Sequence, residues 1–337
     1  MTEWTRRGTI GMRWLVLLAM AFSLSGCIGV LNPKGPVGHA EMLILVNSVA
    51  IMLTIVIPTI VVTLFVAWWF RASNTKAVYQ PDFVYSGQIE LIVWAIPILV
   101  IVLLGGIAWI GSHDLDPPKP LVADVKPLEV QVVSLDWKWL FLYPEQGIAT
   151  VNQLVIPAAT PVHFELTSSS VMNAFFVPQL GGMIYTMHGM RTNLNLLANE
   201  PGEFHGLSSN YSGNGFSGMH FTVHAVPPSA FASWVETAQQ SSQTLDDAAY
   251  IALSHPSEDV APAIYKLGSP QLFQSILTSK VPPGPGPATG PMPPAPASSS
   301  GPPVEPPKAE MPGMHDMPKA EAPPAAGPTS VSSRQEG

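Results

Sequence analysis

The sequence predicts a membrane protein in which a two-helix transmembrane hairpin precedes an all-β domain, a short helical arm and a disordered, proline-rich tail. Three observations carry that reading. Charged residues make up only 11 % of the 337 residues and hydrophobic residues 47 %, against about 25 % charged in ordinary soluble domains. Two long runs in the N-terminal third hold no charge at all. After them the pattern changes to short apolar or alternating runs punctuated by Gly, Pro and Asn, which is how the strands of a sandwich or barrel read. The formal net charge of −8 argues against a nucleic-acid partner. Cys27 is the single cysteine, which excludes an intrachain disulfide framework and any metal centre needing two thiolates.

At the N-terminus, Arg6, Arg7 and Arg13 precede an apolar run from Trp14 to Leu24. That run is too short to span a bilayer and suits the core of a signal peptide. Leu24-Ser25-Gly26-Cys27 resembles a bacterial lipobox. The resemblance implies a lipoprotein signal peptide over 1–26, cleavage before Cys27 and a lipid on its sulfur.

The first uncharged run, Met42 to Phe70, holds 29 residues, about 43 Å of helix at 1.5 Å per residue. Trp68, Trp69 and Phe70 stand where an interfacial aromatic belt belongs, with Arg71 and Lys76 just beyond. The second run goes from Leu91 to Ser112. Spans over about 42–70 and 89–111 follow, within a lipidated N-terminal unit of 27–112. The basic connection between them belongs in the cytoplasm, so both ends of the hairpin lie outside. Pro58 and Pro97 fall inside the spans as kinks.

Residues 113–227 read as the β-domain. Strands are expected at Leu128–Leu135, Lys138–Tyr143, Val151–Ile156, Val162–Thr167, Ala174–Val177, Thr192–Ala198, Glu203–Leu207 and Met219–Val226. Residues 228–280 read as a helical arm, with helices at Ser229–Gln240, Ala248–Leu253 and Gln271–Thr278. Residues 281–337 hold seventeen of the 36 prolines and no Leu, Ile, Phe, Tyr or Trp. Such a segment buries too little apolar surface to offset its ordering entropy.

Taken on its own, Asn210-Tyr211-Ser212-Gly213-Asn214-Gly215-Phe216-Ser217-Gly218-Met219-His220-Phe221 is a Gly/Ser-rich turn entering a strand. Together with Trp137-Lys138-Trp139, Val171-Met172-Asn173-Ala174-Phe175-Phe176-Val177-Pro178 and Ala198-Asn199-Glu200-Pro201-Gly202, it resembles subunit II of the haem–copper oxidases over about 24–280. The resemblance implies a cupredoxin-like barrel behind the hairpin. In the cytochrome c oxidases of that family this barrel holds a copper pair, on a Cys-x3-Cys-x3-His-x2-Met loop plus an earlier histidine. The matching positions here are Ser212, Phe216, His220 and Val223, with Asn173 for the earlier histidine. Asn214 replaces the glutamate that reaches toward a metal of subunit I. The two bridging thiolates that would hold a soft copper pair are missing, so no metal is expected at this loop.

Leu135-Asp136-Trp137-Lys138-Trp139 and Tyr143-Pro144-Glu145-Gln146-Gly147 add a likeness to the quinol-oxidising, bo-type branch of the family. That likeness implies subunit II of a proton-pumping terminal ubiquinol oxidase in a bacterial inner membrane, reducing O2 to water, with the lipidated N-terminus and the C-terminal domain in the periplasm. It also implies no cofactor in this chain, haems and one copper in subunit I, subunits I, III and IV as partners, ubiquinol bound mainly through subunit I, membrane lipid around the hairpin, and no cytochrome c. Trp137 and Trp139 then serve packing, and the helical arm is expected against the catalytic subunit. The alternatives are subunit II of a menaquinol oxidase and, from another class, a periplasmic copper-handling lipoprotein.

Glu90, at the start of the second span, has two readings. An acid in a helix's first turn is favoured by the dipole; the resemblance puts the matching glutamate at the cytoplasmic mouth of the K-type proton channel, which makes Glu90 the candidate for proton uptake. The tail residues Met311, Met314, His315 and Met317 offer soft thioethers and an imidazole suited to Cu(I), and short Met/His clusters also arise from composition alone. Residues 112–280 carry fourteen acids against six bases, read as a solvated acidic surface.

Overall fold

The computed structural model describes residues 28–78, 81–123 and 125–286. Cys27, the signal segment, Met311, Met314, His315 and Met317 lie outside the described residues. A short helix α1 (Ile28–Leu31) leads into α2 (Pro36–Trp69), and α3 (Gly87–Asp114) runs back beside it. Both long helices are apolar and long enough to cross a membrane, and they contain the expected spans. At 1.5 Å per residue, the 34 residues of α2 reach about 51 Å, well beyond a hydrocarbon core of about 30 Å.

The excess length stands at the N-terminal end of α2, where the chain is clamped to the β-domain. The Lys34 amide donates to Gln179 O (2.7 Å), the Gly38 amide to Leu180 O (3.1 Å) and the Asn199 amide to Lys34 O (2.8 Å). Glycine is required at 35, because a Cβ there would lie 2.4 Å from the Leu197 carbonyl oxygen. At Gly111, near the far end of α3, a Cβ would come within 2.7 Å of Ile44 Cδ1, so the two helices touch just beneath the clamp. Side chains such as Val61, Leu64, Leu99 and Val102 stay exposed, as lipid- or partner-facing groups must. Thr54, Thr59 and Thr63 return their hydroxyls to the carbonyls of Ala50, Ile55 and Thr59, which satisfies them in an apolar medium.

The β-domain is two facing sheets. One has seven strands in the order β11-β12-β3-β2-β1-β5-β8 and the other five in the order β4-β10-β9-β6-β7. The strands are β1 (Leu128–Leu135), β2 (Lys138–Tyr143), β3 (Ile148–Val151), β4 (Gln153–Pro157), β5 (Val162–Ser168), β6 (Asn173–Phe176), β7 (Ile184–Thr186), β8 (Thr192–Leu196), β9 (Gly202–Ser208), β10 (His220–Val226), β11 (Thr244–Leu245) and β12 (Ala263–Leu267). β1 pairs in parallel with β5, and β4 with β10. Between the sheets lies a core built around Trp139, Phe141, Phe164, Phe175 and Phe221. Phe175 and Phe221 stack at 5.1 Å, and Trp139 meets both edge-on. Gly206 has no room for a side chain under the Phe221 ring, since a Cβ would lie 2.1 Å from it.

A second core covers the opposite face of the larger sheet, where Val133, Leu135, Leu140 and Leu142 pack under Leu245, Tyr250, Leu272, Phe273 and Ile276. This explains why all six residues of β2 are buried. The covering layer is α5 (Asp247–Ser254) and α6 (Leu272–Leu277) of the arm, whereas α4 (Pro228–Ala238), which opens the arm, puts Trp234 and Ala238 into the inter-sheet core. Asp246 caps α5 by accepting from the Ala249 amide at 2.8 Å, a standard N-cap contact.

Three expectations are adjusted. The single strand foreseen over 151–156 is two, because Asn152 adopts φ +53 and turns the chain between β3 and β4. The arm is not purely helical: β12 pairs with β3 and β11 with β12, so the arm extends the larger sheet. Leu245, Tyr250, Leu272, Phe273 and Ile276 of the arm are buried against that sheet. Packing also continues past Lys280: Val281 is buried and the Gly284 amide donates to Ser169 Oγ (3.0 Å).

Candidate functional site

The loop joining β9 to β10 lies against the turn joining β1 to β2. Trp137, the second residue of that turn, has φ +66, a left-handed conformation that costs a bulky residue about 1–2 kcal/mol. It is held there because its indole is buried, with Nε1–H donating to Ser212 O (3.1 Å) and Gly215 directly beneath the ring. A Cβ at Gly215 would lie 2.5 Å from the indole. Gly213, at φ 112, opens the 3-10 turn Asn214–Gly218 that completes the loop. Strand β6 forms the adjacent wall: the Ser209 amide donates to Ala174 O (3.0 Å) and Asn210 Nδ2 to Met172 O (3.1 Å).

The six positions matched to the copper pattern separate by environment. Asn173, Ser212 and Val223 are buried, Phe216 is half-buried, and Asn214 and His220 are exposed. Asn173 Oδ1 accepts from Ser208 Oγ (3.1 Å). Ser212 Oγ is buried with no hydrogen-bond partner among the described residues, and Phe216 meets the Tyr211 ring at 5.6 Å. Val223 belongs to the inter-sheet core. His220 points outward, as strand parity requires, and sits beside His205 with ring centres 5.2 Å apart. An amide, a hydroxyl, a phenyl and an isopropyl cannot replace an imidazole, two thiolates and a thioether. The residues present do not fit a copper pair. Among the described residues no group of three or more His, Cys, Asp or Glu is placed to share a metal ion.

His224 also faces outward, with Nδ1 3.3 Å from Glu203 Oε1. Burial lowers its pKa more than Glu203 raises it, so at neutral pH the contact is a hydrogen bond to an uncharged ring. Glu90 is exposed in the first turn of α3. Trp139 is buried within the inter-sheet core.

Sequence reasoning gave no role to the buried polar cluster behind Trp137. The Lys138 ammonium is buried and donates to His255 O (2.8 Å) and Ser257 Oγ (2.6 Å), with Asp136 O at 3.3 Å. Desolvation pulls it down to about 8, against a smaller upward pull from Asp136. Asp136, also buried, accepts from Ser170 Oγ (2.5 Å), and desolvation raises its carboxyl despite that bond. Tyr250 donates to Ser169 Oγ (2.9 Å) and is pushed up to about 12, chiefly by burial. Asn152 accepts from the Trp139 amide and donates to Val260 O, each at 2.8 Å. These groups fasten the arm to the larger sheet. The legible signal was a lysine inside an apolar run, Trp137-Lys138-Trp139-Leu140-Phe141.

Residues 128–226 match the family described as cytochrome c oxidase subunit II, periplasmic domain, and residues 239–284 the COX aromatic rich motif. The strands and arm above are therefore a cupredoxin-like oxidase subunit II domain with its aromatic-rich extension. The chain is 51 % identical over 268 residues to the cytochrome bo(3) ubiquinol oxidase subunit 2 of Pseudomonas aeruginosa, covering 79 % of this chain and 81 % of that one. It is 53 % identical over 245 residues to the ubiquinol oxidase subunit 2 of Acetobacter aceti, covering 72 % and 80 %. The quinol oxidase subunit 2 of Bacillus cereus is more distant, 36 % identical over 246 residues, covering 72 % and 84 %. The chain belongs to the ubiquinol oxidase subunit 2 family.

Proposed function

We propose that this chain is the copper-free subunit II of a proton-pumping ubiquinol:O2 oxidoreductase in a bacterial inner membrane. The observation that carries the reading is a cupredoxin-like domain, clamped to a membrane hairpin, whose metal loop is filled by Asn173, Ser212, Phe216 and Val223. Such a domain relays no electrons from a soluble donor. Its work is mechanical: it holds the hairpin and presents a shaped face to the subunit that carries the haems and copper. Exposed Met172, Met183, Tyr185, Met190 and Tyr211 suit that face. They lie around β6, β7 and the β9–β10 loop, and Gln179 to Gly182, just before Met183, touch the head of α2. Methionine and tyrosine are the residues that such interfaces favour.

The clamp between 34–38 and 178–199 keeps the start of α2 on the same side of the membrane as the β-domain. With Arg71 and Lys76 in the cytoplasmic connection, that side is the periplasm. The reading adds lipidation at Cys27, subunits I, III and IV as partners, and ubiquinol held mainly by subunit I. Glu90, at the cytoplasmic end of α3, serves as a proton collector for the complex. The identity of 51–53 % to chains named ubiquinol oxidase subunit 2, against 36 % to one named quinol oxidase subunit 2, supports ubiquinol as the electron donor.

The test is purification of the native assembly through this chain. A many-helix haem protein should co-purify, ubiquinol-driven O2 uptake should follow it, and the extracted quinone should be ubiquinone. Menaquinone in the extract would make it a menaquinol oxidase. Isolation of the chain alone, with copper bound to its tail, would replace the reading with a copper-handling lipoprotein.

A further inference from the structure

The outward face of β9 and β10 carries Glu203, His205, His220 and His224. In the register of the pair His205 stands opposite Thr222, His220 opposite Leu207 and His224 opposite Glu203. His205 and His220 are therefore diagonal neighbours on one face, and their ring centres are 5.2 Å apart at an interplanar angle of 43°. Both side chains are exposed, so an ion can reach them without any opening of the fold. We infer that His205 and His220 form a two-imidazole surface site for a divalent transition ion of the zinc or copper(II) class.

The geometry suits such an ion. A zinc–imidazole bond of about 2.0–2.1 Å puts each ring centre about 3.2 Å from the metal. A tetrahedral angle between two such bonds then separates the ring centres by about 5.2 Å, matching the spacing of this pair. The ligand form of histidine is the neutral ring. No third donor converges on the pair, in keeping with the absence of larger donor groups among the described residues. Water completes the coordination, with the Glu203 carboxylate nearby on the same face adding negative potential. The site shares only the His220 position with the family's copper pair: its second donor is His205, it faces solvent rather than the loop, and it lacks the thiolates that colour such a pair.

The test uses the purified intact oxidase, without a polyhistidine tag, titrated with Zn2+ alone and monitored by calorimetry. H205A, H220A and the double variant are compared with wild type at matched haem content. One zinc equivalent should weaken by at least about tenfold in each single variant, and the double variant should lose no more than either. With Cu2+ as the probe, the electron paramagnetic resonance spectrum should show coupling to two nitrogens, reduced to one in H205A. Equal zinc binding in wild type and the double variant overturns the site. So does loss in H220A with full binding in H205A, because the ion then does not bridge the two strands.

Discussion

A buried ammonium should leave its mark on the pH dependence of stability, and Lys138 is placed to show it. In the fold the group sits at about 8, against an ordinary 10.5. Between those values the folded state holds fewer protons than the unfolded state, so stability rises with pH. The whole difference corresponds to about 3 kcal/mol, and most of it, about 2–3 kcal/mol, develops between pH 7 and pH 10. Tyr143 and Tyr250, both raised by burial, act in the opposite sense only above about pH 10. The clean observable is the stability of wild type minus that of Lys138→Met, measured by urea unfolding of a 117–286 fragment with tryptophan fluorescence. That difference should move in favour of wild type by about 2–3 kcal/mol from pH 7 to pH 10. A constant difference would refute the burial argument. A difference moving the other way would mean that Asp136 stabilises the charged lysine more than desolvation penalises it.

Gly215→Ala drives a methyl group into the Trp137 indole and should cost about 1–3 kcal/mol, read as a lower unfolding midpoint with altered tryptophan emission. Truncation after Gly286 should leave the domain's stability and ubiquinol oxidase activity near those of the full chain. Truncation after Lys280 removes buried Val281 and the Gly284–Ser169 bond, and should lower stability by about 2–4 kcal/mol. Glu90→Ala should slow turnover at saturating ubiquinol while assembly and haem content persist, and Glu90→Asp should retain more activity; equal turnover in wild type and Glu90→Ala would reduce Glu90 to a helix-start acid. Cys27→Ala should abolish fatty-acid labelling yet leave the protein in the membrane fraction, because two spans outweigh one lipid anchor.

What the sequence made legible was whatever a single period could express. The uncharged runs located α2 and α3, and β1 and β2 fall where their apolar patterning put them. The copper positions were readable because they are a comparison of donor chemistry, which needs no coordinates. The short strands β7 and β11 hold too few residues to show a pattern. β12 is partly exposed along most of its length and owes its existence to the free edge of β3. Lys138, Asp136 and Tyr250 were opaque for another reason: their partners at 169, 170, 255 and 257 come from other parts of the chain. The His205–His220 neighbourhood likewise depends on the register between two strands, fixed by the whole sheet.

The positions matched to the copper pattern are held in place by the residues that stand there. A copper pair would tie β6, the β9–β10 loop and β10 through covalent ligands. Here that end is held by replacements of ordinary strength: Asn173 to Ser208, the Trp137 indole to Ser212 O, Asn210 to Met172 O, and Val223 in the core. Hydrogen bonds of this kind contribute about 0.5–1.5 kcal/mol each, so three of them and a buried valine supply several kcal/mol. That is comparable to the stability of a whole domain, about 5–15 kcal/mol. The left-handed Trp137 shows where this packing is spent, since its strain persists only while the loop above it stays closed. The loop end is therefore held as a fixed face, as the proposed scaffolding role requires.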